Sequence, residues 1–276
     1  IKTKKEWGEI ETWKLIKQFS PAYTDGYLLA AVDAKRQFDG GVAQVSESRR
    51  IYLPLFVRTL RLSLIITLLT LLFGFPVAYL MATLPTKASN VLLIFVLLPF
   101  WTSLLVRTTA WIALLQQQGV INEFLVVVGL VGTENRPQMI HNEFGTIVAM
   151  THILLPFMVL PLFSVMKTIP GSYVRAAVSL GAHPWVAFWK VYFPNTVPGI
   201  GAGAILVFIL AIGYYITPEL VGGTTGTFIS NRIAHHISSS LNWGLAASLG
   251  IILLAVVIAL FLIYDKIVGI DNMKLG

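Results

Sequence analysis

Few residues of this chain can do chemistry, and they sit in an apolar setting. Arg107 is the most costly, because it lies inside a long apolar run. A guanidinium placed there faces a bundle interior, a cavity or a partner, or it snorkels to an interface and anchors its helix. Ser103 and Trp111 stand four residues before and after it, and on one continuous helix they share its face. Glu219 follows Pro218 at the end of another apolar run. It is the carboxylate nearest such a pathway, where a cationic solute needs anionic or aromatic partners. It also reads as an ordinary solvated loop carboxylate. The Gly222-Gly223 pair beyond it leaves room for a mobile re-entrant turn.

The remaining candidates point away from catalysis. His152, beside Thr151 in an apolar run, has the setting of a packed histidine. His235 and His236 are adjacent, so on a helix they diverge and make poor metal partners. Gly222-Gly223-Thr224-Thr225-Gly226-Thr227 lacks the Gly-Lys-Ser/Thr ending of a phosphate loop, which leaves the chain with no nucleotide site of its own. Cysteine is absent, excluding disulfides, thiolate metal sites and cysteine nucleophiles. No acid–base or nucleophile constellation stands elsewhere. These residues describe a path or a partner surface, not a reaction centre.

The elements that must position them are membrane helices. Hydrophobic residues make up 56% of the 276-residue chain and charged residues 12%, about half the charge of a soluble domain. Five apolar runs are long enough to span a bilayer: residues 62–83, 91–115, 145–166, 200–217 and 245–264. The first corresponds to about 33 Å of helix against a ~30 Å hydrocarbon core. Pro76 should kink it without breaking it, and Arg58 and Arg61 just before it can snorkel. On a straight second run, Arg107 lies about 24 Å along, near one face of the membrane. Gly201, Gly203 and Gly213 in the fourth run allow close helix approach.

The formal charge of +7 is not a nucleic-acid signal. Eleven of the 20 Lys and Arg residues precede Leu62, together with seven of the 13 carboxylates, and no basic surface interleaved with aromatics is visible. Residues 1–52 are polar, and 1–57 are taken as one extracytoplasmic segment. Within them, Glu6-Trp7-Gly8-Glu9-Ile10-Glu11-Thr12-Trp13-Lys14-Leu15-Ile16 predicts a short amphipathic helix, either interfacial or an ordinary surface helix. No internal repeat or low-complexity tract appears, so one membrane domain over 58–276 is the simplest division.

The longest polar interruption between spans is 168–194. Pro170 stops the preceding helix, Gly181 permits a turn between two short helices, and Val174, Ala177, Val178 and Ala182 have partial helical spacing. Small Ala176 and Ala177 let a short helix lie deep in a partner's cleft, and Pro194 and Pro198 mark re-entry to the membrane. Spacing alone fits both a docking element and a plain loop.

This loop resembles the E-A-A, three residues, G segment of ATP-binding-cassette importer permeases. Ala176, Ala177, Gly181, Ala182, Phe188, Pro194, Pro198 and Gly199 fall on the family's positions, and Arg175 departs from its usual Glu. Three further segments look like the polyamine-type, or spermidine/putrescine, permeases, and within that subgroup like the B-type subunit. They are Leu98-Pro99-Phe100-Trp101-Thr102-Ser103 with Val106-Arg107-Thr108; Thr151-His152-Ile153-Leu154-Leu155-Pro156-Phe157; and Ile216-Thr217-Pro218-Glu219-Leu220-Val221-Gly222-Gly223. The resemblance covers about Tyr52 to the end.

The resemblance implies an all-α polytopic subunit with the transmembrane fold of type I importers. It implies a second permease subunit, two ATPase subunits that bind ATP and Mg, and a periplasmic substrate-binding protein, with no cofactor in this chain. Arg175, Ala176, Ala177, Gly181, Ala182 and Phe188 become the ATPase-docking residues. Trp101, Ser103, Arg107, Trp111 and Glu219 become candidates for the solute pathway. Opines, amino-acid-like solutes and other small organic ions stay open beside polyamines, since no Asp or Glu lies within a span. A secondary transporter or channel is disfavoured by the missing intramembrane carboxylates and inverted repeat, and a membrane enzyme by the missing catalytic cluster.

Five spans place the chain ends on opposite sides. The positive-inside rule, applied to Arg49, Arg50, Arg58 and Arg61, puts the amino end inside, which leaves the Arg175 loop outside, away from any ATPase. Long polar regions escape that rule, and the chain begins with Ile. The expectation is therefore a further span before Ile1, residues 1–57 outside, and the docking loop and carboxyl end in the cytoplasm of a bacterial inner membrane.

Overall fold

The computed structural model describes residues 8–19, 24–37 and 41–268. Helices α1 (Ile10–Phe19) and α2 (Gly26–Ala31) precede an antiparallel pair, β1 (Ala34–Arg36) and β2 (Val42–Gln44), in which Ala34 pairs with Gln44. A 3-10 turn at Glu47–Arg49 leads to α3 (Tyr52–Thr83). Next come α4 (Thr86–Leu97), a 3-10 turn at Leu98–Trp101, α5 (Leu104–Leu115) and α6 (Val120–Val127). The chain continues through α7 (Glu143–Thr168), α8 (Gly171–Ser179), α9 (Pro184–Ala187), a π-helical turn at Phe188–Tyr192, and α10 (Phe193–Gly213). It closes with α11 (Ile216–Val221), α12 (Ile229–Ser238) and α13 (Trp243–Val268). Trp7 lies outside the described residues, and Trp13 on α1 is exposed.

Among the described residues, four helices are long and apolar enough to cross a bilayer: Tyr52–Thr83, Glu143–Thr168, Pro184–Gly213 and Trp243–Lys266. A fifth crossing exists only if Thr86–Trp101 and Leu104–Val127, bent by 96° to each other, count as one. Helices suit this role because each backbone donor and acceptor is satisfied within its own segment.

The second run thus departs from the straight helix expected over 91–115. Pro99 supplies no N–H, the 3-10 turn ends at an extended Thr102, and Ser103 starts a new helix by accepting from the Val106 N–H at 3.2 Å. The fourth run differs too. α10 stops at Gly213 and Tyr214 is extended, because Pro218 has no N–H to return to the Tyr214 carbonyl; Ile216 and Thr217 belong to α11. α3 runs unbroken through Pro76 and begins at Tyr52, earlier than residue 62.

Contacts divide the chain into two compact units. The unit of residues 1–58 and 229–256 has a small core of Ala31, Leu55, Phe56, Ile229, Leu245 and Leu249. In it Asp33, 4% exposed, closes the start of α3. Asp33 Oδ1 accepts from Ile51 N at 3.0 Å and Tyr52 N at 3.2 Å, and Oδ2 accepts from Leu53 N at 2.7 Å. The next residue, Pro54, has no N–H to satisfy, so the orphan donors of this helix end are accounted for.

The unit of residues 59–228 and 257–276 is built on the packing of α7 against α10. Met150, Leu154, Met158, Val159 and Leu162 of α7 meet Val207 and Ala211 of α10, with Leu62, Ile66, Ala78 and Met81 of α3 in the same core. The crossing is close: a Cβ on Gly203 would stand 2.7 Å from Met158 Sδ. Gly213, by contrast, faces open space. Asn142 caps α7 by accepting from Gly145 N at 2.9 Å. Arg61, expected to snorkel, pairs with Glu143.

Candidate docking loop and solute pathway

The 168–194 loop folds from short-range rules. Pro170 is the N-cap of α8, which ends in a paired hydrogen-bond closure: Gly181 N donates to Val178 O at 2.9 Å and Ala182 N to Ala177 O at 3.1 Å. That pattern is a Schellman motif, and it needs a left-handed residue after the helix. Gly181 provides it with φ +90°. α9 then starts with Pro184 in its first turn and the His183 ring accepting from Trp185 N at 3.3 Å. The two short helices therefore stand apart at a fixed angle.

This loop turns an unusually apolar face outward. Arg175 and Ala176 are exposed, together with Tyr173, Val178, Trp185 and Leu180, the last at 89%. Ala177 and Ala182 are half-buried. Phe188 is half-buried behind that face, stacked on Trp185 at 6.2 Å. Its ring stacks on Tyr192 at 5.7 Å and stands edge-on to Tyr79 at 5.6 Å and Phe75 at 6.4 Å, both near the carboxyl end of α3. The π-helical turn that holds Phe188 leads directly into α10.

The pathway candidates separate into two groups. Trp101 is 81% exposed on the turn before α5, and Ser103 caps α5 rather than sharing a helix face with Arg107. Arg107 and Trp111 do share α5. Trp111 Nε1 donates to His152 Nδ1 on α7 at 3.2 Å, with ring centroids 5.4 Å apart. Arg107 is half-buried, its Nε has no hydrogen-bond partner, and its charge reaches both His152 and Tyr214. At the next residue, the buried hydroxyls of Thr108 and Thr217 bond at 3.2 Å and tie α5 to α11. α11 carries Glu219, which is exposed.

The glycine turn after Glu219 is tightly packed, not roomy. Val221 O accepts from His141 N at 2.8 Å, and Gly226 O accepts from Thr146 Oγ1 at 3.0 Å. At Gly223, φ is +54° and a Cβ would stand 2.2 Å from His141 O. Glycine is present here because nothing larger lets this turn reach the start of α7.

Comparison with known proteins now bears on this geometry. The family model "Binding-protein-dependent transport system inner membrane component" matches residues 52–269. The chain belongs to that family. The spermidine/putrescine transport system permease protein PotB of Salmonella typhimurium (strain SL1344) is 33% identical over 226 residues, covering 82% of this chain and 78% of that protein. PotB of Escherichia coli K12 is 33% identical over 224 residues, covering 81% of each. The inner membrane ABC transporter permease protein YdcU of Escherichia coli K12 is 32% identical, covering 78% of this chain and 71% of its own.

Among solved structures, a chain of a bacterial ABC transporter involved in the import of the acidic polysaccharide alginate matches with TM-score 0.62 at 20% identity. It covers 96% of this chain and 93% of that one. A chain of the alginate transporter in complex with its alginate-bound periplasmic protein gives the same TM-score over 80% and 81%. At that identity the likeness establishes the shared fold. The chain is thus a multi-pass inner-membrane permease subunit of a binding-protein-dependent transporter.

Within this permease, sequence reasoning missed three features of the site. His152 orients Trp111 and stands exposed beside Arg107, though its setting suggested simple packing. Arg136, on the segment from α6 to α7, pairs with Glu123 of α6 at 2.8 Å beside Gln117, Gln118 and Glu134. His236, dismissed as a metal ligand, bonds Tyr52 Oη at 3.0 Å and Ser240 Oγ at 2.8 Å. Among the described residues, no three His, Asp or Glu side chains gather as metal ligands.

Proposed function

We propose that this permease forms half of the membrane pathway of an ATP-driven polyamine importer, paired with a second permease subunit and two ATPase subunits. A periplasmic binding protein delivers spermidine or putrescine to it. The observation that carries this reading is the closed α8–α9 loop with its exposed apolar face, on a chain one-third identical to PotB proteins over four-fifths of its length. A solvated loop has no reason to present Leu180, Trp185 and Val178 together. A partner's cleft does.

In this reading residues 1–57 lie on the extracytoplasmic side, and the docking loop and carboxyl end lie in the cytoplasm. ATP and Mg are held by the ATPase, and this chain performs no chemistry of its own. ATP binding draws the ATPases together and carries α8 and α9 with them. Phe188 passes that displacement to α3 and α10, so the pathway changes access as a rigid-body movement. Hydrolysis resets it. Glu219 and Trp101 offer an ammonium group the anionic and aromatic contacts it needs.

One observation favours a second reading. Arg107 is a donor that solutes with a carboxylate, such as opines or amino-acid-like molecules, can use. Reconstitution separates the two. The assembled importer in proteoliposomes, with ATP on the loop side and binding protein on the other, is expected to accumulate labelled spermidine or putrescine. Accumulation of carboxylated solutes alone supports the second reading. Uptake without ATP rejects both in favour of a secondary transporter.

A further inference from the structure

Among the described residues, Arg107 is a charge without a counter-charge. Its Nε is shielded from solvent and makes no hydrogen bond. No carboxylate among the described residues stands within ion-pair distance of it. Its surroundings add donors where an acceptor is needed. Because His152 Nδ1 accepts from Trp111, the proton of the neutral imidazole of this exposed residue is on Nε2. Arg107 and His152 therefore present N–H groups on one patch, fixed from behind by Trp111.

An arginine in a spanning region persists when a partner completes it. No described residue supplies that partner, and lipid tails offer no acceptor. The two residues before Arg107 on α5, Leu105 and Val106, are more than half exposed, as is Trp101 on the preceding turn, while Thr108 after it is buried. The patch is thus a donor pair with an apolar border, which suits an acidic side chain carried on another protein's helix. A polyamine is itself a cation and cannot fill it.

We propose that Arg107 forms an ion pair across the pathway with a carboxylate of the second permease subunit, that His152 Nε2 is the second donor to it, and that an arriving cationic solute competes with Arg107 for that carboxylate. The pair rests on the reading of the chain as one of two permease subunits; only the competition rests on polyamine as the solute. With no solute present the guanidinium holds the pathway closed. An ammonium group is chemically equivalent, so it can take the carboxylate and release the gate without leaving a bare charge in the membrane.

The test uses the complete importer in proteoliposomes, with assembly and solute uptake of the unmodified complex established first. Arg107→Glu is expected to lower uptake at least tenfold, and Arg107→Lys to keep most of it. Each Asp and Glu of the second permease is then changed singly to Lys. One of these is expected to restore uptake by the Arg107→Glu chain at least fivefold while impairing the unmodified chain. Should Arg107→Glu fail to assemble, Arg107→Gln serves, with single Asp→Asn and Glu→Gln partners expected to restore it. Arg107→Ala frees the carboxylate and is expected to raise ATP hydrolysis several-fold in the absence of binding protein.

Full uptake by Arg107→Glu, or no restoring partner in either series, overturns the pair. So does an Arg107→Glu importer whose only change is lost uptake of carboxylated solutes, because the acceptor then belongs to the solute. An unmodified chain that assembles with no second permease overturns this proposal and the importer reading together, a result distinct from all of these.

Discussion

The ring of Phe188 stands perpendicular to that of Tyr79, with 5.6 Å between centroids and 90° between planes. This edge-to-face contact joins the docking loop to the carboxyl end of α3, and it changes what Phe188 is for. A loop phenylalanine at a docking motif reads as a contact with the partner. It is turned inward among Phe75, Tyr79 and Tyr192, and under the proposed function it transmits the partner's movement instead.

Phe188→Ala is therefore expected to leave the ATPase bound while raising the ATP hydrolysed per solute transported several-fold. An edge-to-face pair contributes about 1 kcal/mol beyond its area. A double-mutant cycle on thermal stability in detergent with Tyr79→Ala is expected to show coupling of about that size. Loss of ATPase binding by Phe188→Ala would return the residue to the docking face.

Asp33 predicts a stability effect far from the pathway. Its carboxylate takes the N–H groups of Ile51, Tyr52 and Leu53. Asp33→Ala leaves those part-buried donors without an acceptor and is expected to cost about 2 kcal/mol. Asp33→Asn keeps one oxygen and tolerates the backbone φ of 54°, so it should cost less. Thermal unfolding of the detergent-solubilised permease measures both, and equal midpoints for the two variants would contradict the capping role.

His236 gives a pH dependence with a definite sign. Burial, then the neighbouring His235 and Arg232 charges, hold its pKa below the usual histidine value. The folded state thus favours the neutral ring, which bonds Tyr52 and Ser240. Its contribution is fully present above about pH 6.5 and is lost as pH falls through the lowered pKa. The unmodified permease should lose more thermal stability between about pH 7.5 and 5.5 than His236→Gln does. Parallel losses would show that the acid sensitivity lies elsewhere.

Glu219 tests the solute reading. Glu219→Gln keeps shape and removes charge on an exposed turn of α11. If the carboxylate meets an ammonium group, the KM for spermidine uptake should rise about tenfold, corresponding to ~1.4 kcal/mol, with assembly unchanged. An unaltered KM assigns Glu219 to the solvated surface.

How much of this was legible depended on range. The docking loop was readable because its determinants are neighbours: Pro170 before a helix, Gly181 at its left-handed end, Pro184 at the start of the next. Spacing located Phe188 but carried no information about which way it points. The bend at 98–103 was hidden by hydropathy, which averages over Pro99 and Ser103 even though both are breaking or capping residues. Gly222 and Gly223 were read as freedom to move, and the structure uses the missing Cβ for close contact instead. The cap from Asp33 to α3 and the Trp111–His152 bond join residues far apart in the chain, where no local pattern points.

The account stands or falls on docking, and Gly181 offers the most direct measurement of it. At φ +90°, Gly181→Val forces a β-branched side chain into the left-handed region, at a cost of about 1–2 kcal/mol, and opens the bonds that fix α8 against α9. The measurement is the amount of Walker-A ATPase that copurifies with the tagged permease from membranes holding the whole importer. The account predicts one ATPase bound per permease subunit for the unmodified chain and at least a fivefold loss for Gly181→Val at equal membrane abundance. A purified permease that transports solute with no ATPase bound would contradict it.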